Sequence, residues 1–151
     1  MAHTIVVSSR LPAAMRGQLE AILFFNAGQH RVRHEIETTI ERFGIPELIE
    51  QDGWLRVQVA SVPEVQTLFA LHEDGGRARP VGAVIYLRDT FERITVVHNG
   101  VADDYAAGGR YAAERVLARL MQEIRRVARR TSGIRQVELA YRRTRLREAT
   151  A

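Results

Sequence analysis

From Arg110 to Arg130, apolar side chains fall at Ala113, Val116, Leu117, Leu120, Met121, Ile124, Val127 and Ala128. Steps of three and four residues predict one long amphipathic helix, with Arg115, Arg119, Arg126 and Arg130 mainly on its other side. Ser132-Gly133 stops it. Ile134 to Tyr141 then alternates and reads as a last strand. Upstream, Arg93 to Val101 is a strand whose Asn99-Gly100 pair predicts a bulge or bend near its end. Val65 to His72 and Pro80 to Arg88 are two further apolar runs. The glycine-bearing turn between them, Glu73 to Arg79, makes them an antiparallel hairpin. Trp54 to Ala60 alternates as another strand.

The first third has a different period. His3 to Ser8 is short and β-branched, a first strand. Ser9-Arg10-Leu11-Pro12 reads as a helix entry, with Ser9 as cap and Pro12 in the first turn. The helix that follows places Met15, Leu19, Ile22 and Leu23 on one face, and Gly28 stops it. A second helix carries Val32, Ile36, Ile40 and Phe43. Gly44 ends it and Ile45-Pro46 bars its continuation. The order is strand, helix, helix, three or four strands, helix, strand. The closing strand–helix–strand unit implies that the last two strands are parallel and joined by a right-handed crossover. The pattern predicts an α/β or α+β domain of three layers, a mixed sheet with helices on its faces.

Composition narrows the chemistry. A chain of 151 residues fits a single domain over 1–151. With 46% hydrophobic and 26% charged residues it is expected to be globular and soluble. The absence of cysteine excludes disulfides, thiolate zinc sites and a cysteine nucleophile. No apolar run is long enough to span a bilayer. Met1-Ala2-His3-Thr4 lacks a basic region leading into an apolar one, so no signal peptide and a cytoplasmic location are expected. All 22 basic residues are arginine. Without lysine, a Schiff base and a P-loop lysine are excluded. Residues 1–105 hold ten arginines against 14 acids, and residues 106–151 hold 12 against four. The basic C-terminal third suggests an anionic partner: a phosphate-bearing cofactor, nucleic acid or an acidic protein face.

Between the strand ending at Val101 and the long helix lies ADDYAAGGRYAA, residues 102–113. A glycine-bearing turn from strand into helix can aim backbone N–H groups at an anion, and Arg110 in the first turn adds a charged donor. A plain structural loop is the other reading.

The order of elements and these residues together resemble the GNAT-type N-acetyltransferase superfamily, over most of the chain up to Tyr141. The resemblance is carried by the opening strand–helix–helix, Pro80-Val81-Gly82 opening the return strand, RITVVHNGV followed by Ala102-Asp103-Asp104-Tyr105, and the glycine turn into a helix followed by GIRQVELAY. It implies a GNAT-like mixed central sheet flanked by helices, with acetyl-CoA or another acyl-CoA as co-substrate and an amine as acceptor. Val101 matches the valine whose backbone pairs with the pantetheine arm, and Tyr105 the aromatic before the loop. Gly109 matches the first glycine of the pyrophosphate motif. The N–H groups of Ala107, Gly108, Gly109 and Arg110 would take the pyrophosphate, and those around Val101 would polarise the thioester carbonyl. The chain departs at Ala106, where the family has Arg or Gln, and at Tyr111, where it has Gly or Ala. It also lacks the usual C-terminal helix and strand pair, and with them the tyrosine that protonates the leaving thiolate. An open last strand predicts a homodimer. Gly109→Asp is expected to abolish CoA binding while leaving the fold intact.

The other candidates are read more plainly. His98 suits a general base by its ordinary pKa, but a strand histidine meeting a carbonyl is the preferred reading. His30 and His34 share a helical face without a third ligand, so no metal site is expected. Asp103-Asp104 is a solvated pair, with Asp104 favouring a helix N-terminus. Tyr141 with Arg142, Arg143, Arg145 and Arg147 reads as a basic tail rather than a nucleic-acid patch. The arginines of the long helix read as an exposed face partly paired with Glu114 and Glu123. Phe24-Phe25 and Trp54 read as core or dimer-interface residues. The expected function is acyl-CoA-dependent N-acyl transfer. The alternatives are a non-catalytic GNAT-like dimeric binding or regulatory module and, more weakly, an arginine-rich nucleic-acid binder.

Overall fold

A computed structural model describes residues 4–24, 44–59, 64–139 and 149–150. In chain order the elements are strand β1 (Thr4–Ser8), helix α1 (Arg16–Phe24), strands β2 (Pro46–Gln51), β3 (Trp54–Val59), β4 (Gln66–Asp74), β5 (Arg77–Thr90) and β6 (Arg93–Val101), helix α2 (Val116–Arg130), and strands β7 (Gln136–Leu139) and β8 (Ala149–Thr150). The main sheet is mixed, in the order β1-β4-β5-β6-β7, with the two-residue β8 beyond β7. Neighbours are antiparallel except β6 and β7, which run parallel from Arg93↔Gln136 to Val96↔Leu139. The parallel closing pair is the one the strand–helix–strand unit requires.

The alternation of β5 builds a core on each side of the sheet. Ala83, Ile85 and Leu87 face one side with Leu19 and Leu23 of α1 and Leu48, Leu55, Val57 and Val59 of the β2–β3 pair. Val84 and Tyr86 face the other with Val116, Leu120, Met121, Ile124 and Ala128 of α2. The layers are therefore α1 with the β2–β3 hairpin, the main sheet, and α2. No helix among the described residues is long and apolar enough to cross a membrane.

Several sequence expectations shift. Strand β2 is unexpected. It pairs with β3 across Asp52-Gly53, both at positive φ (55° and 83°), as a tight two-residue hairpin turn demands. Along β3 the buried positions are Leu55, Val57 and Val59, which turns Trp54 outward, 41% exposed, with Arg10 over its ring. Trp54 is thus not a core residue. The β4–β5 turn needs only Gly75-Gly76, at φ 57° and 82°, so the charged flanks from Glu73 to Arg79 extend the two strands. Helix α1 follows a 3-10 turn at Ala13–Met15, and Ser8 rather than Ser9 makes the local side-chain hydrogen bonds, both with Arg10. The predicted helix carrying Val32 to Phe43, Phe25 and the tail from Tyr141 to Arg147 lie outside the described residues.

Two differences bear directly on function. The bulge in β6 falls at Val97, not at Asn99-Gly100: Ile85 pairs with His98 and Tyr86 with Val96, leaving Val97 as the extra residue. That extra residue brings both Val97 and its neighbour His98 to the α1 side. At the far edge, Gln136 and Val137 of β7 pair with Thr150 and Ala149. There β7 is covered over those two residues only, and the homodimer stays an expectation.

Candidate functional site

The segment between β6 and α2 does not run straight into the helix. A 3-10 turn at Asp103–Tyr105 leads into the glycines, and a second at Ala112–Glu114 follows them. Arg115 then takes a left-handed conformation (φ 51°, ψ 53°), which an α-helix cannot contain, and α2 begins at Val116. The sequence expectation of a helix from Arg110 is therefore corrected, and the positive end of its dipole lies away from the glycines.

Within the loop the four expected anion donors divide. Gly109 N–H donates to Ala106 O at 2.9 Å. The N–H groups of Ala107, Gly108 and Arg110 have no hydrogen-bond partner among the described residues. Ala107, Gly108 and Arg110 are exposed, and Gly108, at φ 84°, faces open space. Gly109 is where backbone passes backbone: a Cβ there would sit 2.6 Å from the carbonyl oxygens of both Asp103 and Asp104. Glycine is required at 109 by packing, so Gly109→Asp would break the loop rather than report on an anion. Val101 ends β6 opposite Gly82, and the described β6–β7 pairing stops at Val96.

A cluster of side chains pins this loop to the β4–β5 hairpin. The Tyr105 ring is buried, and its hydroxyl makes a short hydrogen bond with His72 Nδ1 on β4. Burial pushes the Tyr105 phenol above its ordinary value, with the nearby Arg79 charge opposing, so the ring stays protonated near neutrality. Arg79 of β5 lies over the Tyr105 ring and pairs with Asp104 at 2.6 Å. Asp104 is thus held by a side chain of the sheet and does not serve the N-terminus of α2. Tyr111 stacks on Tyr105 (centroids 4.9 Å apart, planes 26° apart), meets His72 edge-on, and carries Arg110 at 5.0 Å from its centroid. We expect Tyr105→Phe to keep this stack and to lower stability by about 1 kcal/mol through the lost hydrogen bond. A urea midpoint unchanged from wild type would mean the hydroxyl contributes nothing.

His98 belongs to another set of contacts. It is buried, with Nε2 donating to Leu23 O at 2.7 Å near the end of α1 and the Phe24 ring 6.0 Å away. Burial lowers its pKa below the ordinary value, with the carbonyl hydrogen bond opposing. This matches the reading of a strand histidine satisfied by a carbonyl. Among the described residues no three His, Asp or Glu side chains gather to hold a metal, and His30 and His34 lie outside them. On α2, Arg119 pairs with Glu114 and Arg126 with Glu123.

No family model matches the chain, and no curated protein or solved structure matches it. The loop's supporting residues, His72 and Arg79, were not legible beforehand. Each is far from Tyr105 and Asp104 along the chain, and only the register of the β4–β5 hairpin brings them there.

Proposed function

We propose that the chain is an acyl-CoA-dependent N-acyltransferase with a GNAT-like sheet, taking an acyl-CoA as co-substrate and an amine as acceptor. The reading rests on one observation: at the end of β6 the loop presents the open N–H groups of Ala107, Gly108 and Arg110. The strand order around it is compatible with that reading, since β6 joins an antiparallel run to a parallel neighbour. Three N–H groups on one short turn, beside an exposed guanidinium, suit a pyrophosphate. The thioester supplies the acyl group. The residues of this chain bind and orient it through backbone at the β6 end, with Arg110 as the charged partner.

One observation favours the second reading, a non-catalytic GNAT-like binding module. His98, the imidazole on β6, has its Nε2 engaged by Leu23 O and is buried behind α1. Thermal unfolding with millimolar acetyl-CoA and with desulfo-CoA separates the possibilities. A ligand that binds only the folded chain raises its apparent stability, by about 2.7 kcal/mol at a hundred times its Kd. The proposal expects an upshift with both ligands and turnover of an amine with acetyl-CoA. An upshift without turnover of any amine supports the binding module. No shift with either ligand removes the CoA site.

A further inference from the structure

Tyr111 stands where the GNAT pattern has a small residue, and its surroundings give that tyrosine a use. It is half-buried, with the Tyr105 ring centroid 4.9 Å from its own, the Arg110 guanidinium at 5.0 Å and His72 meeting it edge-on. Tyr105 is fixed from beneath: its hydroxyl is on His72 and its ring lies under Arg79. Arg110 is exposed, and no ion pair holds its guanidinium among the described residues. Tyr105 is therefore the rigid neighbour of Tyr111, and the exposed Arg110 the movable one. The open N–H groups of Ala107, Gly108 and Arg110 belong to the same turn, within four residues of the ring.

An anion cradle beside an aromatic face with a displaceable cation has the chemistry to take a phosphate-bearing nucleotide. The phosphate oxygens accept from the backbone N–H groups. Arg110 swings from the ring to the phosphate, exchanging an exposed cation–π contact for a charge-assisted pair. The vacated face of Tyr111 then receives the base by stacking. We infer that Tyr111 is the base-stacking platform of this site, and that it recognises the adenosine end of the CoA thioester. The inference rests on the acyl-CoA reading above and adds to it the residue that selects the nucleotide part. A free adenine nucleotide shares the chemistry.

Calorimetric titration of the full chain with CoA, 4′-phosphopantetheine and ADP tests it, using wild type, Tyr111→Ala and Tyr111→Trp. We expect CoA to bind wild type more tightly than 4′-phosphopantetheine does. Tyr111→Ala should weaken CoA and ADP about tenfold and leave 4′-phosphopantetheine unchanged. Tyr111→Trp, which keeps an aromatic face, should retain the affinity for CoA and ADP. If Tyr111→Ala weakens all ligands alike, or Tyr111→Trp fails like the alanine, the ring only shapes the loop and the inference falls. If CoA binds and the alanine variant binds it equally well, the inference falls while the acyl-CoA reading stands. Binding of ADP to wild type and Tyr111→Trp but not to Tyr111→Ala, with no binding of CoA, would keep the platform, assign it to free nucleotides and overturn the acyltransferase. Binding of none of the three removes both.

Discussion

Adding one methyl group at Gly109 will displace the loop between β6 and α2 and cost about 3 kcal/mol of stability. The atoms in the way are the carbonyl oxygens of Asp103 and Asp104, each 2.6 Å from where the Cβ of Gly109→Ala would sit. They belong to backbone, which cannot rotate aside as the tip of a side chain can. Opening the turn also stretches the Tyr111 N–H to Asp104 O bond, now 2.7 Å, and the Gly109 N–H to Ala106 O bond. Gly108→Ala is the control. Its φ of 84° strains an alanine, but no atom lies within 4 Å of the new Cβ, so about 1 kcal/mol is expected. Urea unfolding of the two variants reads the difference. Equal losses would mean that strain alone, and not the close passage of backbone, explains the glycine pair.

The second large effect is set by pH. His98 is held neutral in the fold because burial disfavours its charge, and Nε2–H is donated to Leu23 O of α1. In the unfolded chain the same imidazole titrates near 6.5. Its folded pKa is the lower one, so between the two values the unfolded chain binds more protons and stability rises with pH. The contribution is complete above about pH 6.5 and declines as pH falls below it, by up to about 1.4 kcal/mol per pH unit, until the folded pKa is reached. His98→Gln should cost about 2 kcal/mol at pH 7.5 and, between pH 7.5 and 5.5, lose less stability than wild type. Parallel denaturation curves at the two pH values decide it. The same decline in both proteins would place the acid sensitivity elsewhere.

What could be foreseen followed from local repetition. The stripe from Val116 to Ala128 names α2 because each apolar step repeats the same geometry, and all its core residues fall on that stripe. The parallel β7 followed from the helix that precedes it. Where a single residue decides, the pattern was silent. Nothing marks Arg115 as left-handed, so the start of α2 was placed too early. Pro46 reads as a helix stop and hides that it opens β2, although Asp52-Gly53 carries the hairpin signal. The bulge at Val97 has no glycine to announce it. The loop glycines were legible as a pair, but their roles were not. Whether Gly108 or Gly109 meets open space depends on where Asp103 and Asp104 pass, a tertiary matter. The fastening of the loop by His72 and Arg79 is tertiary in the same way.

The edge position of β1 also sets an order in time. The strands β4, β5 and β6 are joined by turns at Gly75-Gly76 and Phe91-Glu92, so each finds its neighbour after closing a very short loop. Strand β1 instead pairs with β4 from Thr4↔Glu73 to Ser8↔Phe69, which closes the whole intervening segment in one step. Long-range pairing of this kind is slow compared with hairpin closure. During synthesis β1 emerges before β4 and must wait, without that partner, until β4 has followed it out of the ribosome. Nascent chains therefore carry Ile5, Val6 and Val7 without their β4 partner, and a strand made well before its neighbour is secured late.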